Sequence, residues 1–98
     1  MVLRVLDTPS FNRAVKKLFA RDKRTVDEAI KKIANNPTLG EEKKGDLAGV
    51  FVFKFKMNKQ EVLLSYGLLP SKQQPRELVL FSLGSHENFY DDLKRRRL

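Results

Sequence analysis

The chain has 98 residues, the size of one domain, and no cysteine, which excludes a disulfide framework and thiolate chemistry. Twenty Lys and Arg against 12 Asp and Glu give a formal net charge of +8, so an anionic partner is favoured: nucleic acid, an acidic protein or a charged surface. One histidine without cysteine excludes a structural zinc quartet, no apolar run approaches the ~18 residues of a membrane span, and the N-terminus lacks a signal-peptide pattern.

"VLRVL", residues 2–6, predicts a short strand. "DTPSF" opens a helix: Thr8 caps it, and Pro9 takes the first helical position, where a missing N–H costs nothing. Phe11, Val15, Leu18 and Phe19 follow at helical spacing, with Arg13, Lys16 and Lys17 on the other side. "ARDKR" reads as a polar break. Thr25 and Glu28 then make the Thr-x-x-Glu capping box of a second helix. Val26, Ala29, Ile30 and Ile33 form its apolar stripe, and "NNP" at 35–37 ends it. The two helices make a basic hairpin, which also carries Lys31 and Lys32. "TLGEEKKGDLAG", 38–49, is a loop punctuated by glycine.

"GVFVFKFKM", 49–57, is a strand. Period-2 geometry puts Phe51, Phe53, Phe55 and Met57 on one face and Val50, Val52, Lys54 and Lys56 on the other. "MNKQE" is a tight connection, and "VLLSYGL" is the antiparallel partner that carries Tyr66. "LPSKQQP" is a second polar loop. Arg76 opens a third long strand, "ELVLFSL". "GSHENFYDDLKRRRL" begins as a glycine turn and continues as a short C-terminal helix capped by Ser85. The order β-α-α-β-β-β-α predicts an α+β fold over a single domain, 1–98. A small antiparallel sheet packs on an N-terminal α-helical hairpin, with a short C-terminal helix. The hairpin covers the phenylalanine face and leaves the lysine face open.

An open sheet face is an ordinary place for lysine, which also protects edge strands from pairing. The basic balance and the neighbours favour more. A cationic face with Tyr66, Arg76, His86 and Tyr90 around it suits a phosphodiester backbone. His86 can give or take a proton near neutrality, though a lone histidine at a helix start is more often a cap or surface residue than a catalyst. Tyr90 is more often a docking residue for the last helix than a site residue. Lys16, Lys17, Lys31, Lys32, Tyr66 and Arg76 are candidate RNA contacts, together with Arg95 and Arg96 of the basic tail.

The basic hairpin, "KKGDLAGVFVFKFKMNKQEVLLSYGL" and "ELVLFSLGSHENFYDDLKR" together resemble the RelE/ParE superfamily of toxins from bacterial type II toxin–antitoxin modules, over nearly the whole chain. The resemblance implies one of two activities. RelE-like members enter the ribosomal A site and cut messenger RNA. ParE-like members poison DNA gyrase and are not enzymes. Both are neutralised by a cognate antitoxin, usually acidic, with an extended segment that wraps the toxin. RelE alternates two lysines on the strand matching 50–57, and Lys54 and Lys56 fall on that pattern. His86 and Tyr90 lie where RelE-like enzymes use a histidine or aromatic residue. The resemblance therefore implies Lys54, Lys56, His86 and Tyr90 as the catalytic set of a metal- and cofactor-free mRNA endoribonuclease. The free toxin is expected as a monomer in the bacterial cytoplasm. The chain departs at the RelE arginine on the following strand, since "VLLSYGL" has none, and His86 is the nearest ionisable residue to the RelE arginine after the last strand.

Overall fold

Helical periodicity in the first third of the chain and alternation in the rest build two layers, a helical hairpin lying on one face of a sheet. The structure, a computed structural model, describes residues 3–85. Its elements are β1 (Arg4–Asp7), α1 (Pro9–Lys16), α2 (Ala20–Asn35), β2 (Glu41–Glu42), β3 (Phe51–Met57), β4 (Gln60–Leu69) and β5 (Glu77–Gly84), with one 3-10 turn at Gly45–Leu47. The strands lie in the order β1-β5-β4-β3-β2. Neighbours are antiparallel except at one edge, where β1 runs parallel to β5 with Arg4 opposite Glu77. The α+β class and the meander of long strands follow the sequence reading. The parallel edge does not, and neither does β2, two residues inside the expected loop that pair with Val52 and Phe51. The expected C-terminal helix lies outside the described residues.

Thr8 holds the start of α1, as its position before Pro9 predicts. Its Oγ1 accepts from the Phe11 amide at 3.2 Å and donates to the Phe81 carbonyl at 3.0 Å. Its own N–H donates to the Leu80 carbonyl at 3.2 Å. One residue thus caps the helix and fastens it to β5. The attachment falls at a β-bulge, where Phe81 is the extra residue between Leu80, opposite Tyr66, and Ser82, opposite Ser65.

The second helix starts earlier than its capping box suggested. α2 begins at Ala20, so the stretch read as a break forms its first turn. Thr25 sits inside the helix and donates to the Arg21 carbonyl at 3.4 Å instead of capping. The cause is Asp22. Positions 22, 26, 29 and 33 are all buried at helical spacing, but the first is a carboxylate, only 4% exposed. The apolar stripe therefore stops one turn before the helix does. Asp22 Oδ2 accepts from Asn58 Nδ2 at 2.8 Å, and Arg21 Nη2 donates to Asn58 Oδ1 at 2.5 Å. Asn58 and Lys59 turn the β3–β4 hairpin at φ 55° and 66°, the mirror-image turn that matches strand twist. The start of α2 is thereby pinned to that turn. Phe19, read as the end of the α1 stripe, is instead exposed, because α1 stops at Lys16 and leaves it in the junction.

The main core lies between the layers. Phe11, Val26 and Ile33 pack with Phe51, Leu64, Tyr66, Leu78 and Leu80, and Phe53, Phe55 and Met57 extend it. The other sheet face is not wholly open, contrary to expectation. Leu47 of the 3-10 turn packs on Val52 and Leu63, flanked by Val50 and Phe81. A loop that reads as polar thus supplies the apolar side chain that covers one end of this face.

Thr8→Ala removes the cap and the link to β5 together. Urea unfolding is expected to show about 1–2 kcal/mol of lost stability at unchanged m, with most of it retained in Thr8→Ser.

Candidate RNA-contacting face

Lys54 and Lys56 are exposed on the sheet face away from the helices, as the alternation predicts. Their placement follows from what the other face buries. Phe53, Phe55 and Met57 pack against the main core, and the Phe53 and Phe55 rings stack with centroids 5.9 Å apart. A one-residue slip would turn those rings to water and both ammonium groups into the core. Across the strands, Lys54 faces Leu63 and Lys56 faces Glu61. Leu63 is fully buried, so Lys54 stands at the border of the small dry cluster. Glu41 of β2 lies opposite Val52 and within electrostatic reach of Lys54. Its carboxyl is held below the usual range, chiefly by the hydrogen bond from Lys43 Nζ at 2.8 Å and by that ammonium's charge, with a smaller pull from Lys54.

Tyr66 does not belong to this face, which corrects its reading as an RNA contact. It is fully buried in the main core. The β3–β4 register sets Tyr66 opposite Phe51, so it shares the phenylalanine side of the sheet. The two rings stack at 5.3 Å with an interplanar angle of 17°. The phenol donates to the Pro37 carbonyl at 2.7 Å and accepts from the Gly40 amide at 2.9 Å. A Cβ on Gly40 would lie 2.9 Å from the phenol oxygen, so only glycine lets the backbone approach this closely. Burial pushes the Tyr66 phenol pKa up, with the Gly40 hydrogen bond opposing.

The other candidates are scattered. Arg76 is exposed, but it precedes β5 where Glu77 pairs with Leu69, whereas Lys54 pairs with Leu63. Six residues of strand separate the two points, about 20 Å. Arg76 instead borders an open groove of about 500 Å³ with Arg4, Leu69, Pro70 and Glu77. Lys31 and Lys32 are exposed on the later half of α2, in the layer behind the sheet. Lys16 and Lys17 are exposed at the end of α1. His86, Tyr90, Arg95 and Arg96 lie outside the described residues. Among the described residues, no three His, Cys, Asp or Glu side chains gather to hold a metal, and no helix is long and apolar enough to cross a membrane.

Sequence reading missed the cluster at the start of α2, where Arg21 and Asp22 meet Asn58 and bring Lys59 alongside. The available signal was Asp22 itself, a carboxylate in helical register with Val26, Ala29 and Ile33.

A helical hairpin on a small sheet, an aromatic strand locked beneath it and a basic surface are the plan of a known toxin class. The family model of the ParE-like toxin of type II bacterial toxin–antitoxin systems matches residues 5–94, and the chain belongs to that family. Its fold is that of solved RelE structures. A double arginine variant of the E. coli toxin RelE in the free state is similar with a TM-score of 0.72 at 13% identity, over 98% of this chain and 99% of that one. The RelBE2 toxin–antitoxin complex of Mycobacterium tuberculosis gives 0.70 at 20% identity, over 88% of this chain and 100% of that one. The intact E. coli RelBE complex gives 0.66 at 13% identity, over 87% and 98%. Comparison with curated proteins gives no sequence match.

The raised Tyr66 pKa has a definite sign. The neutral phenol's contribution is fully present below the unfolded value of about 10 and is lost as pH rises through the folded one. This contribution to stability should therefore fall only above about pH 10. Spectrophotometric titration should show one tyrosine ionising late, together with unfolding. Tyr66→Phe should abolish that component and cost about 1–3 kcal/mol at neutral pH, because the Pro37 carbonyl and Gly40 amide lose their partner.

Proposed function

We propose that this toxin is a ribosome-dependent mRNA endoribonuclease. The observation that carries the reading is the exposed Lys54 and Lys56 pair, about 7 Å apart along a strand whose other face is locked in the core. Such a pair presents two fixed charges to an RNA backbone. In the proposed reaction the RNA's 2′-OH attacks the adjacent phosphorus and the bond to O5′ breaks, leaving a 2′,3′-cyclic phosphate and a 5′-OH. A base takes the 2′ proton and an acid delivers a proton to O5′. Lys54 and Lys56 offset the charge that grows on the phosphate oxygens, and one of them, if desolvated, serves as the base. His86 takes the remaining proton transfer, and Tyr90 orients or stacks on a nucleobase or shares the proton role. The ribosome holds the message in line, so a small site suffices. The step needs no cofactor or metal.

The same reading gives the toxin a cognate antitoxin, acidic to match the net charge of +8. Two of the similar structures are themselves toxin–antitoxin complexes, which supports it. The free toxin acts as a monomer in the bacterial cytoplasm. Non-catalytic inhibition of DNA gyrase is the second reading. It is favoured by the ParE-like description of the family and by β4, which offers no arginine beside the lysines and is buried from 62 to 68.

A purified translation reaction with a defined message, its 5′ ends mapped by primer extension, tests this. Cuts should fall within A-site codons and require ribosomes. Lys54→Ala and Lys56→Ala should each slow cleavage by roughly 10²-fold. Lys31→Ala should only weaken ribosome binding modestly and reduce its salt dependence. Equal small effects from all of these would sink the site assignment. An intact message with gyrase supercoiling blocked would establish the second reading.

A further inference from the structure

We propose a second RNA contact at the end of the molecule built by the α1–α2 junction and the β3–β4 turn: Phe19 stacks on an unpaired base while the cations around it hold the flanking phosphates. Phe19 is 78% exposed. Nothing local calls for a phenyl ring there. Phe19 occupies the N-cap position of α2 and makes no side-chain bond to the helix, at a place that favours Ser, Thr, Asp or Asn. Its ring contributes little to the core and sits in water beside a junction of polar residues.

The surroundings are cationic. Lys16 and Lys17 precede Phe19, Arg21 and Lys23 follow it, and all four are exposed. The one carboxylate among them, Asp22, is buried and bonded to Asn58 at 2.8 Å. That bond also carries the β3–β4 turn, and with it exposed Lys59, to this end of the fold. The Arg21 guanidinium bonds Asn58 and Asp22, yet its side chain stays 71% exposed.

The chemistry selects single-stranded or looped RNA. A protein segment docking through apolar contact needs a contiguous patch. Among the described residues the other exposed large apolar side chains, Val5, Leu39 and Leu69, lie on β1, before β2 and at the end of β4, away from the junction. A lone ring with cations on either side instead matches the needs of an unstacked base, which uses one π-face and neutralised phosphates. A duplex hides its base faces and offers this site only charge. The inference rests on the ribosome-directed reading for its target, but it requires no cleavage and involves neither Lys54 nor Lys56.

The chain has no tryptophan, so Phe19→Trp installs a single indole reporter at an exposed position. The probes are an RNA hairpin with an unpaired purine loop, a blunt RNA duplex of equal charge and an acidic peptide of equal charge. The loop should quench the indole and the duplex should not. The unmodified toxin should bind the loop about 10-fold or more tightly than Phe19→Ala, at an equal salt slope. Lys17→Ala should instead reduce that slope by about one phosphate's worth. Equal loop affinity for Phe19→Ala and the unmodified protein, or quenching by duplex and loop alike, would overturn the proposal. So would quenching by the acidic peptide alone, which would mark the junction as a protein-docking surface. Loop binding that depends on Phe19 with no message cleavage would leave this inference standing and remove the nuclease. Unaltered loop binding alongside Lys54-dependent cleavage would do the reverse.

Discussion

A strand has two faces, and β3 turns one of them to the core. Phe51, Phe53, Phe55 and Met57 pack under the helical hairpin, and this packing fixes the rotation of the strand about its axis. Rotated the other way, it would bury Lys54 and Lys56, at a cost of several kcal/mol per unpaired ion. The same rotation propagates through the β3–β4 register. It sets Tyr66 against Phe51 in the core and Leu63 beside Lys54 on the far face. The arrangement of surface charge is thus a consequence of aromatic burial, not of any attraction among the charges.

Three polar attachments fasten the helical layer and its following loop to the sheet. Thr8 bonds the Phe81 carbonyl, Asp22 bonds Asn58, and Tyr66 holds the loop at Pro37 and Gly40. Each joins segments far apart in the chain through a buried or half-buried group. Among the described residues no buried side-chain nitrogen or oxygen lacks a partner. Such bonds contribute modestly when made and are expensive to leave half-made, so they specify position more than they add stability. The Asp22 attachment also decides which basic residues share an end of the molecule.

The cations among the described residues do not converge on one pocket. Lys54 and Lys56 face one way, Lys31 and Lys32 lie behind the sheet, and Arg76 lies at its far end. A small anion could meet only one of these groups. A partner that touches several must be extended or large, as a folded RNA assembly or a wrapping acidic chain is. That spread of charge is the arrangement on which the proposed function draws.

What the sequence by itself determined is what short-range periodicity controls. Thr8 and Pro9 mark a helix start because capping involves only the next turn. The alternation of phenylalanine and lysine marks two faces because strand geometry repeats every second residue. Tertiary structure alone decided the rest. Tyr66 is hidden because hairpin register, not its neighbours in sequence, chooses its face. Asp22 extends α2 because its partner, Asn58, is 36 residues away. β1 joins β5 in parallel across more than seventy residues, and Leu47 turns a polar loop into a roof for Val52. Each depends on a contact between distant segments, where the energy of pairing must offset the entropy of closing the chain between them. No local pattern records that balance.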